Sequence, residues 1–149
     1  VYVKIPVSNT RQQMSYDLIG KLADAGVHLN ITAILTLEQV NAVADAVKNG
    51  PASVVSVFAG RIADTGLDPV PLMSKALEIL AVAPQAELLW ASPREVLNIY
   101  QADAIGCHII TATNDIIRKL SLSGKDLAQY SLETVQMFYD DASRAGYQL

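Results

Sequence analysis

His28-Leu-Asn-Ile-Thr-Ala-Ile-Leu35 runs straight into Thr36-Leu-Glu-Gln39, and the segment that follows stops at Gly50-Pro51. The first eight residues are mostly aliphatic or β-branched and of strand length, with polar Asn30 and Thr32 on alternate positions. Thr36 with Gln39 three residues later reads as a capping box, so a helix starts there. Val40, Val43 and Val47 recur at helical spacing, and a glycine followed by proline ends the helix. The stretch is one complete βα unit.

The same unit recurs on both sides of it. Strand-like runs lie at Val1–Val7, Ala52–Phe58, Glu87–Ala91 and Gly106–Thr111. Helical spacing appears between them, for example at Ile19, Leu22 and Ala23, and Gly26 marks the end of that first helix. Thr10-Arg-Gln-Gln13 and Ser92-Pro-Arg-Glu95 read as further capping boxes, the second with Pro at the first helical position. After the last run come a helix near Asp115–Leu120 and a longer one from about Ser131 to Ala145, separated by Gly124. Repeated β-then-α units predict an α/β fold with a parallel sheet and crossover helices.

Bulk properties narrow the function. The 149 residues are 51% hydrophobic, enough for a real core in a single domain over 1–149. A net charge of −4 and a pI near 5.0, with no basic stripe, argue against nucleic acid as a partner. The apolar runs are strand-sized and broken by Asn, Ser or Gly, so no membrane span is expected, and no secretory leader is visible. The single cysteine, Cys107, allows no internal disulfide, and no Cys/His cluster suits zinc. Neighbouring His108 points to the opposite face of a strand, so Cys107 is expected to be a buried structural thiol rather than a nucleophile. A reduced, cytoplasmic protein is the expectation.

The chemistry-bearing residues fall on one face of the strands. In Val1-Tyr-Val-Lys-Ile-Pro-Val7, Val1, Val3, Ile5 and Val7 share the face suited to packing under helices, and Tyr2, Lys4 and Pro6 share the other. A lysine in mid-strand is expected to point into a barrel, where desolvation would supply the free amine that carbonyl addition requires. The structural alternative is a lysine snorkelling to solvent. In the next strand Leu29, Ile31 and Ala33 are expected on the helix side and Asn30 and Thr32 inside, where an amide and a hydroxyl suit sugar hydroxyls and a carbinolamine. Ser56 and Phe58 share the face of Val54, and Arg61 falls just beyond that strand. Ser92 and Arg94 are expected at a capped helix N-terminus, so Arg61, Ser92 and Arg94 together read as an anion pocket on the βα loops.

Val3-Lys-Ile-Pro6, Leu29-Asn-Ile-Thr32, Ser56-Val-Phe-Ala-Gly-Arg61 and Ala91-Ser-Pro-Arg94, in that order and at that spacing, resemble the transaldolase family. The resemblance covers essentially the whole chain. It implies a (β/α)8 TIM barrel with the Schiff-base lysine on the fourth strand. This chain would then supply about strands 4–8, their helices and a C-terminal helix, as the C-terminal portion of a longer chain without strands 1–3. By the same resemblance Lys4 attacks a ketose carbonyl and holds a dihydroxyacetone unit as an imine, then passes it to an aldose phosphate. Asn30 and Ser56 would contact the three-carbon unit, Thr32 would position a water for proton transfer, and Arg61, Ser92 and Arg94 would bind phosphate. No metal or other cofactor is implied.

Fructose-6-phosphate aldolase-like members carry Tyr at the position of Phe58 and lack an amide at the position of Asn30, so transfer is favoured over simple aldol cleavage. The family's Asp on the first strand and Glu on the third have no counterpart here, which would cripple acid–base catalysis by these residues alone. Asp64 and Asp68 are expected to support Arg61 or stay solvated. The remaining alternatives are an aldolase-like enzyme, a transaldolase for a sulfonated ketose, and a non-catalytic sugar-phosphate-binding fragment. The expected partner is a sugar phosphate or related anionic sugar. The apolar Val135, Met137, Phe138 and Tyr139 of the last helix, with the family's habit of tail contacts, point to a homo-oligomer.

Overall fold

A computed structural model of the chain describes residues 1–147. Five strands, β1 (Val3–Pro6), β2 (Leu29–Ile34), β3 (Ser53–Val57), β4 (Ala86–Trp90) and β5 (Ile109–Ile110), form one sheet. Every pair is parallel and the strands lie in chain order, β1-β2-β3-β4-β5. Helices intervene: α1 (Tyr16–Asp24), α2 (Leu37–Val47), α3 (Ala59–Ala63), α4 (Pro69–Leu80) and α5 (Leu97–Ala104). Consecutive parallel strands joined by helices are the arrangement of a barrel wall, so the predicted fold class holds. This compact unit spans Val1–Ile117.

The sheet has two unlike faces because side chains alternate along each strand. Ile31, Val55, Val57, Leu88 and Trp90 face the helices and pack with Ile19, Val40, Val43, Val47, Met73 and Leu80 into the main core. Burying each of the Val, Leu, Ile and Met side chains among these contributes about 1.5–3 kcal/mol, so the helix-side layer carries the stability of the unit. The opposite face holds only a small cluster of Val54, Leu89 and Ala91 with Phe58 and Ile109. Register aligns it: Lys4 lies across from Asn30, Asn30 from Val54, Ser56 from Leu89, and Leu89 from Ile109. The polar residues predicted to point inward therefore share one surface.

Two details depart from the sequence reading. Ala33 was expected on the helix side, but it adopts a left-handed φ of 63° and the β2–β3 register slips between Ile31 and Ile34. The bulge hands that place to Ile34, which is fully buried and pairs with Val57. The second concerns β1, where only Ile5 and Val7 reach the main core. Val3 stays 49% exposed, because β1 pairs with β2 alone among the described residues.

Helix signals were of mixed quality. Thr36 and Gln39 form the full capping box at α2. Thr10–Gln13 starts no helix. Asn9 Oδ1 instead accepts from the amides of Arg11 (2.9 Å) and Gln13 (3.1 Å), and Ser8 bridges Met14, closing a small hairpin ahead of α1. An aspartate- or asparagine-type turn competes with capping for the same amides, and here Asn9 wins.

Past the first unit, α6 (Asn114–Lys119) runs from one unit to the next, and the second unit, Arg118–Leu149, is described through Tyr147. It holds a 3₁₀ turn (Leu120–Leu122) and the 18-residue α7 (Leu127–Arg144). That helix starts four residues before the expected Ser131 because Asp126 caps it, accepting from the Gln129 amide at 2.8 Å. Lys125 hydrogen-bonds Glu133 and holds its carboxyl below the usual carboxylate range. No residue of α7 is buried. Among the described residues no helix is long and apolar enough to cross a membrane.

The bulge at Ala33 gives a direct test by urea denaturation. A β-branched side chain at positive φ is strongly disfavoured, so Ala33→Val should cost about 1–3 kcal/mol. Ala33→Gly should fall within about 1 kcal/mol of the parent, because glycine accepts this φ freely. Equal stability of the two variants would show that the backbone at 33 is not left-handed.

Candidate active site

The inner face of the sheet opens into a cavity of about 190 Å³ lined by Lys4, Asn30, Thr32, Ser56, Phe58, Leu89, Ala91, Ser92 and Thr111. Five strands or strand ends contribute to it, which is why its residues are scattered along the chain. Lys4 was expected to be buried. It is exposed instead, since β1 is an edge strand of this sheet and offers no second neighbour to enclose the side chain. These residues alone therefore do not enclose the Lys4 side chain.

The other inner residues are held more tightly. Ser56 is 3% exposed and its hydroxyl donates to Asn30 Oδ1 at 2.7 Å. That bond fixes the Asn30 amide so that its nitrogen, with two N–H donors, remains for another acceptor. Thr32 is 9% exposed, and its Oγ1 is buried with no hydrogen-bond partner. A buried hydroxyl without a partner costs about 1–3 kcal/mol, which a water or ligand in the cavity would recover. The bulge at Ala33 places this strain beside the cavity. Strained backbone of this kind gathers at functional sites.

Beyond β3, Phe58 lines the cavity, α3 begins at Ala59, and the Arg61 guanidinium lies 5.4 Å from the centre of the Phe58 ring. This cation–π contact keeps Arg61 beside a cavity wall, although Arg61 itself lines neither cavity described here.

The loop after β4 differs from its sequence reading. Ser92-Pro-Arg-Glu95 forms no capping box, and Ser92 takes a left-handed φ of 59°. Helix α5 starts at Leu97, and the cap comes from inside it: Asn98 Oδ1 accepts from the amides of Arg94 (2.7 Å) and Glu95 (3.2 Å). Asn98 is 7% exposed, so this is a buried clasp on the loop. A capping pattern cannot reveal it, because the acceptor follows the donors it satisfies.

Ser92 and Arg94 nevertheless meet at a second cavity of about 340 Å³, with Pro93, Thr111, Ala112 and Thr113. Ser92 and Thr111 line both cavities, so the two adjoin. Asp64 pairs with Arg94 rather than Arg61: Arg94 Nε donates to Oδ1 at 3.0 Å and Nη2 donates to Oδ2. Asp68 caps α4, accepting from Val70. Thr111 and Thr113 were missed. The signal was available for Thr111, which follows Ile109 by two positions and so shares the inner face.

Cys107 and His108 form no pair. His108 Nδ1 accepts from the Leu88 amide at 3.0 Å, while the Cys107 thiol contacts the carbonyls of Leu88 and Ile109. Burial pushes the Cys107 thiol up, which keeps it protonated and unreactive. It is partly rather than fully buried. No group of three or more His, Cys, Asp or Glu that could hold a metal occurs among the described residues.

The sequence model of the family described as Transaldolase/Fructose-6-phosphate aldolase matches residues 1–149. A protein named probable transaldolase from Methanococcus maripaludis is 31% identical over 121 residues, covering 80% of this chain and 53% of that protein. Proteins of the same name from Streptococcus equi and Streptococcus pyogenes are 31% and 32% identical over 122 residues, covering 81% of this chain and 53% of theirs. The chain spans about half the length of the curated relatives it matches.

One contact around the cavities is unusually close. A Cβ added to Gly60 would lie 1.5 Å from the Ser92 carbonyl oxygen, and the Gly60 amide donates to Ala91 O at 3.2 Å. Gly60→Ala should therefore force two backbones apart and cost about 3 kcal/mol or more, at or above the usual overpacking range. Gly66 has a positive φ but open space around it, so Gly66→Ala should cost only about 1 kcal/mol. Thermal or urea unfolding of both variants checks the contrast, and equal losses would contradict it.

Proposed function

This chain belongs to the transaldolase/fructose-6-phosphate aldolase family, and on that footing we propose that it carries the Schiff-base half of a transaldolase site, with Lys4 as the nucleophile. The observation that carries the reading is the shared cavity: Lys4, Asn30, Thr32 and Ser56 line one small volume on the inner face of the sheet. The activity proposed is that of the complete barrel, since the chain spans about half the length of its relatives.

The chemistry follows from an amine, an amide and a hydroxyl in one cavity. The Lys4 amine adds to the C2 carbonyl of a ketose phosphate, giving a carbinolamine that loses water to form an iminium ion. A base removes the C4 hydroxyl proton and the C3–C4 bond breaks. The aldehyde leaves and the electron pair flows into the iminium nitrogen as an enamine. The enamine carbon then attacks an acceptor aldose phosphate, a proton returns to the new alkoxide, and water adds to the iminium to release the product and Lys4. Asn30, oriented by Ser56, would donate to a hydroxyl of the retained three-carbon unit. Thr32, with its unpartnered buried hydroxyl, would hold the water that shuttles protons.

Ser92 and Arg94 border the adjoining cavity and would take the phosphate, with Arg61 reaching it from the Phe58 ring. No carboxylate lines either cavity among the described residues. Enclosure of Lys4 and the proton-transfer acids is accordingly assigned to the remainder of a barrel of which 1–149 is one domain's C-terminal portion. Phe58 and Asn30 support transfer over simple cleavage. A sugar-phosphate substrate and an unpaired cysteine suit a cytoplasmic setting without a cofactor. The exposed Leu132, Val135 and Phe138 of α7, at helical spacing, fit a homo-oligomer in which a second copy covers them.

Borohydride reduction in the presence of fructose 6-phosphate should attach a reduced three-carbon adduct to Lys4, located by peptide mass spectrometry. Lys4→Ala should abolish the adduct and lower turnover by about 10³-fold or more. A folded full-length protein that traps nothing would sink the imine reading. Thr32→Val should preserve trapping while lowering turnover by about 10²-fold, the usual contribution of acid–base positioning. Parallel assays with sulfonated ketoses separate the two anionic substrate classes.

A further inference from the structure

The anion subsite is held together by a closed circuit of contacts between α3 and the β4–α5 loop. The Asp64 amide donates to Gly60 O at 3.0 Å, and the Gly60 amide donates in turn to Ala91 O at 3.2 Å. Three residues beyond Ala91, Arg94 returns to Asp64 through two parallel N–H···O bonds, Nε to Oδ1 at 3.0 Å and Nη2 to Oδ2. The backbone of Arg94 is clasped independently by buried Asn98 at 2.7 Å. Side chain and main chain of Arg94 are thus both fixed, at the wall of the cavity shared with Ser92, Thr111 and Thr113.

We propose that Asp64 is a positioning residue for the anion subsite, holding the Nε/Nη2 edge of Arg94 so that the guanidinium meets the ligand's phosphate in one orientation. The proposal rests on the functional reading above for the identity of the anion, but not on imine formation. A planar guanidinium gripped on one edge keeps its Nη1 side uncommitted by Asp64. An unheld arginine has several rotatable bonds to order at the moment of binding, and fixing it beforehand removes that cost. The carboxylate also repels an approaching anion. Both partners are about half exposed, with side-chain exposures of 49% and 51%, so solvent and salt screen that repulsion and ordering is the larger effect.

The sequence reading gave Asp64 to Arg61 or to solvent, because Arg61 is its near neighbour in the chain. The fold reverses this. Arg61 sits at the middle of the five-residue α3 and Asp64 caps its C-terminal end three residues on, while the loop that carries Arg94 is brought against that helix by the Gly60 contact. An acidic residue beside an anion site, otherwise hard to justify, acquires a use as the far anchor of one of its cations.

The test uses the full-length protein with Asp64→Asn, Asp64→Glu and Arg94→Lys, and with Asp64→Asn also placed in an Arg94→Ala background. Inorganic phosphate affinity is measured by calorimetry, KM and kcat with fructose 6-phosphate, and imine formation by borohydride trapping of dihydroxyacetone, which has no phosphate. Asp64→Asn should weaken phosphate and raise KM by about 5-fold, the scale of ordering one long side chain, with kcat within about twofold. Asp64→Glu should recover at least half of the loss. Arg94→Lys keeps the charge but cannot grip Asp64 by two N–H groups, so it should show a loss similar to that of Asp64→Asn. In the Arg94→Ala background Asp64→Asn should add nothing, and dihydroxyacetone trapping by Asp64→Asn should match that of the parent protein.

Unchanged or tighter phosphate binding in Asp64→Asn would overturn the proposal. So would an equal loss in dihydroxyacetone trapping, or a full effect of Asp64→Asn without Arg94. If the parent protein itself traps nothing, the imine reading fails while phosphate calorimetry still decides the role of Asp64.

Discussion

Parallel strands in register send alternate side chains to opposite faces, and nearly everything else about this chain depends on that constraint. On one face it gathers Ile31, Val55, Val57, Leu88 and Trp90 beneath the helices, where apolar burial supplies stability. On the other it gathers Lys4, Asn30, Thr32 and Ser56, where burial is incomplete and polar groups can meet a ligand. A one-residue slip anywhere would exchange the two sets. The one slip among the described residues, at Ala33, is absorbed by one left-handed residue, so Ile34 returns to the core and Thr32 keeps its place beside the cavity.

Chemistry is divided between strands and loops accordingly. Strands carry the groups that would handle the carbonyl carbon, because a rigid sheet holds atoms to the tolerances that bond formation needs. The loops after β3 and β4 carry the charges that would handle the anion. Those loops are short and clamped: Gly60 admits the Ser92 carbonyl at a distance no side chain would allow, and Asn98 closes the turn from inside the next helix. Ordered loops would let a half-exposed arginine serve as a directional contact rather than a diffuse positive charge.

Electrostatically the region is more balanced than a basic anion trap. Arg94 shares its charge with Asp64, and Arg61 rests against the Phe58 ring. Specificity in such a site comes from geometry and hydrogen-bond direction, and less from long-range attraction, which suits a chain of net charge −4. The unpartnered Thr32 hydroxyl and the exposed Lys4 remain open to a ligand among the described residues. Both face the same cavity, which is where a substrate would complete them.

Alternation, strand length and helical spacing are local properties, so the α/β class, all five strands and the inward set of Lys4, Asn30, Thr32 and Ser56 could be read directly from residue order. The α2 capping box was legible for the same reason: donor and acceptor lie within one turn. What residue order could not show depends on approach between distant segments. Asp64 found Arg94 rather than Arg61, the Ser92–Glu95 box gave way to Asn98, and Asn9 displaced the cap expected at Thr10. The exposure of Lys4 likewise depends on which strands flank β1, not on the strand's own sequence. Local periodicity determined which residues could form the site; the tertiary packing of α3 against the β4–α5 loop decided their partners, because hydrogen bonds are made to whatever the fold brings within about 3 Å.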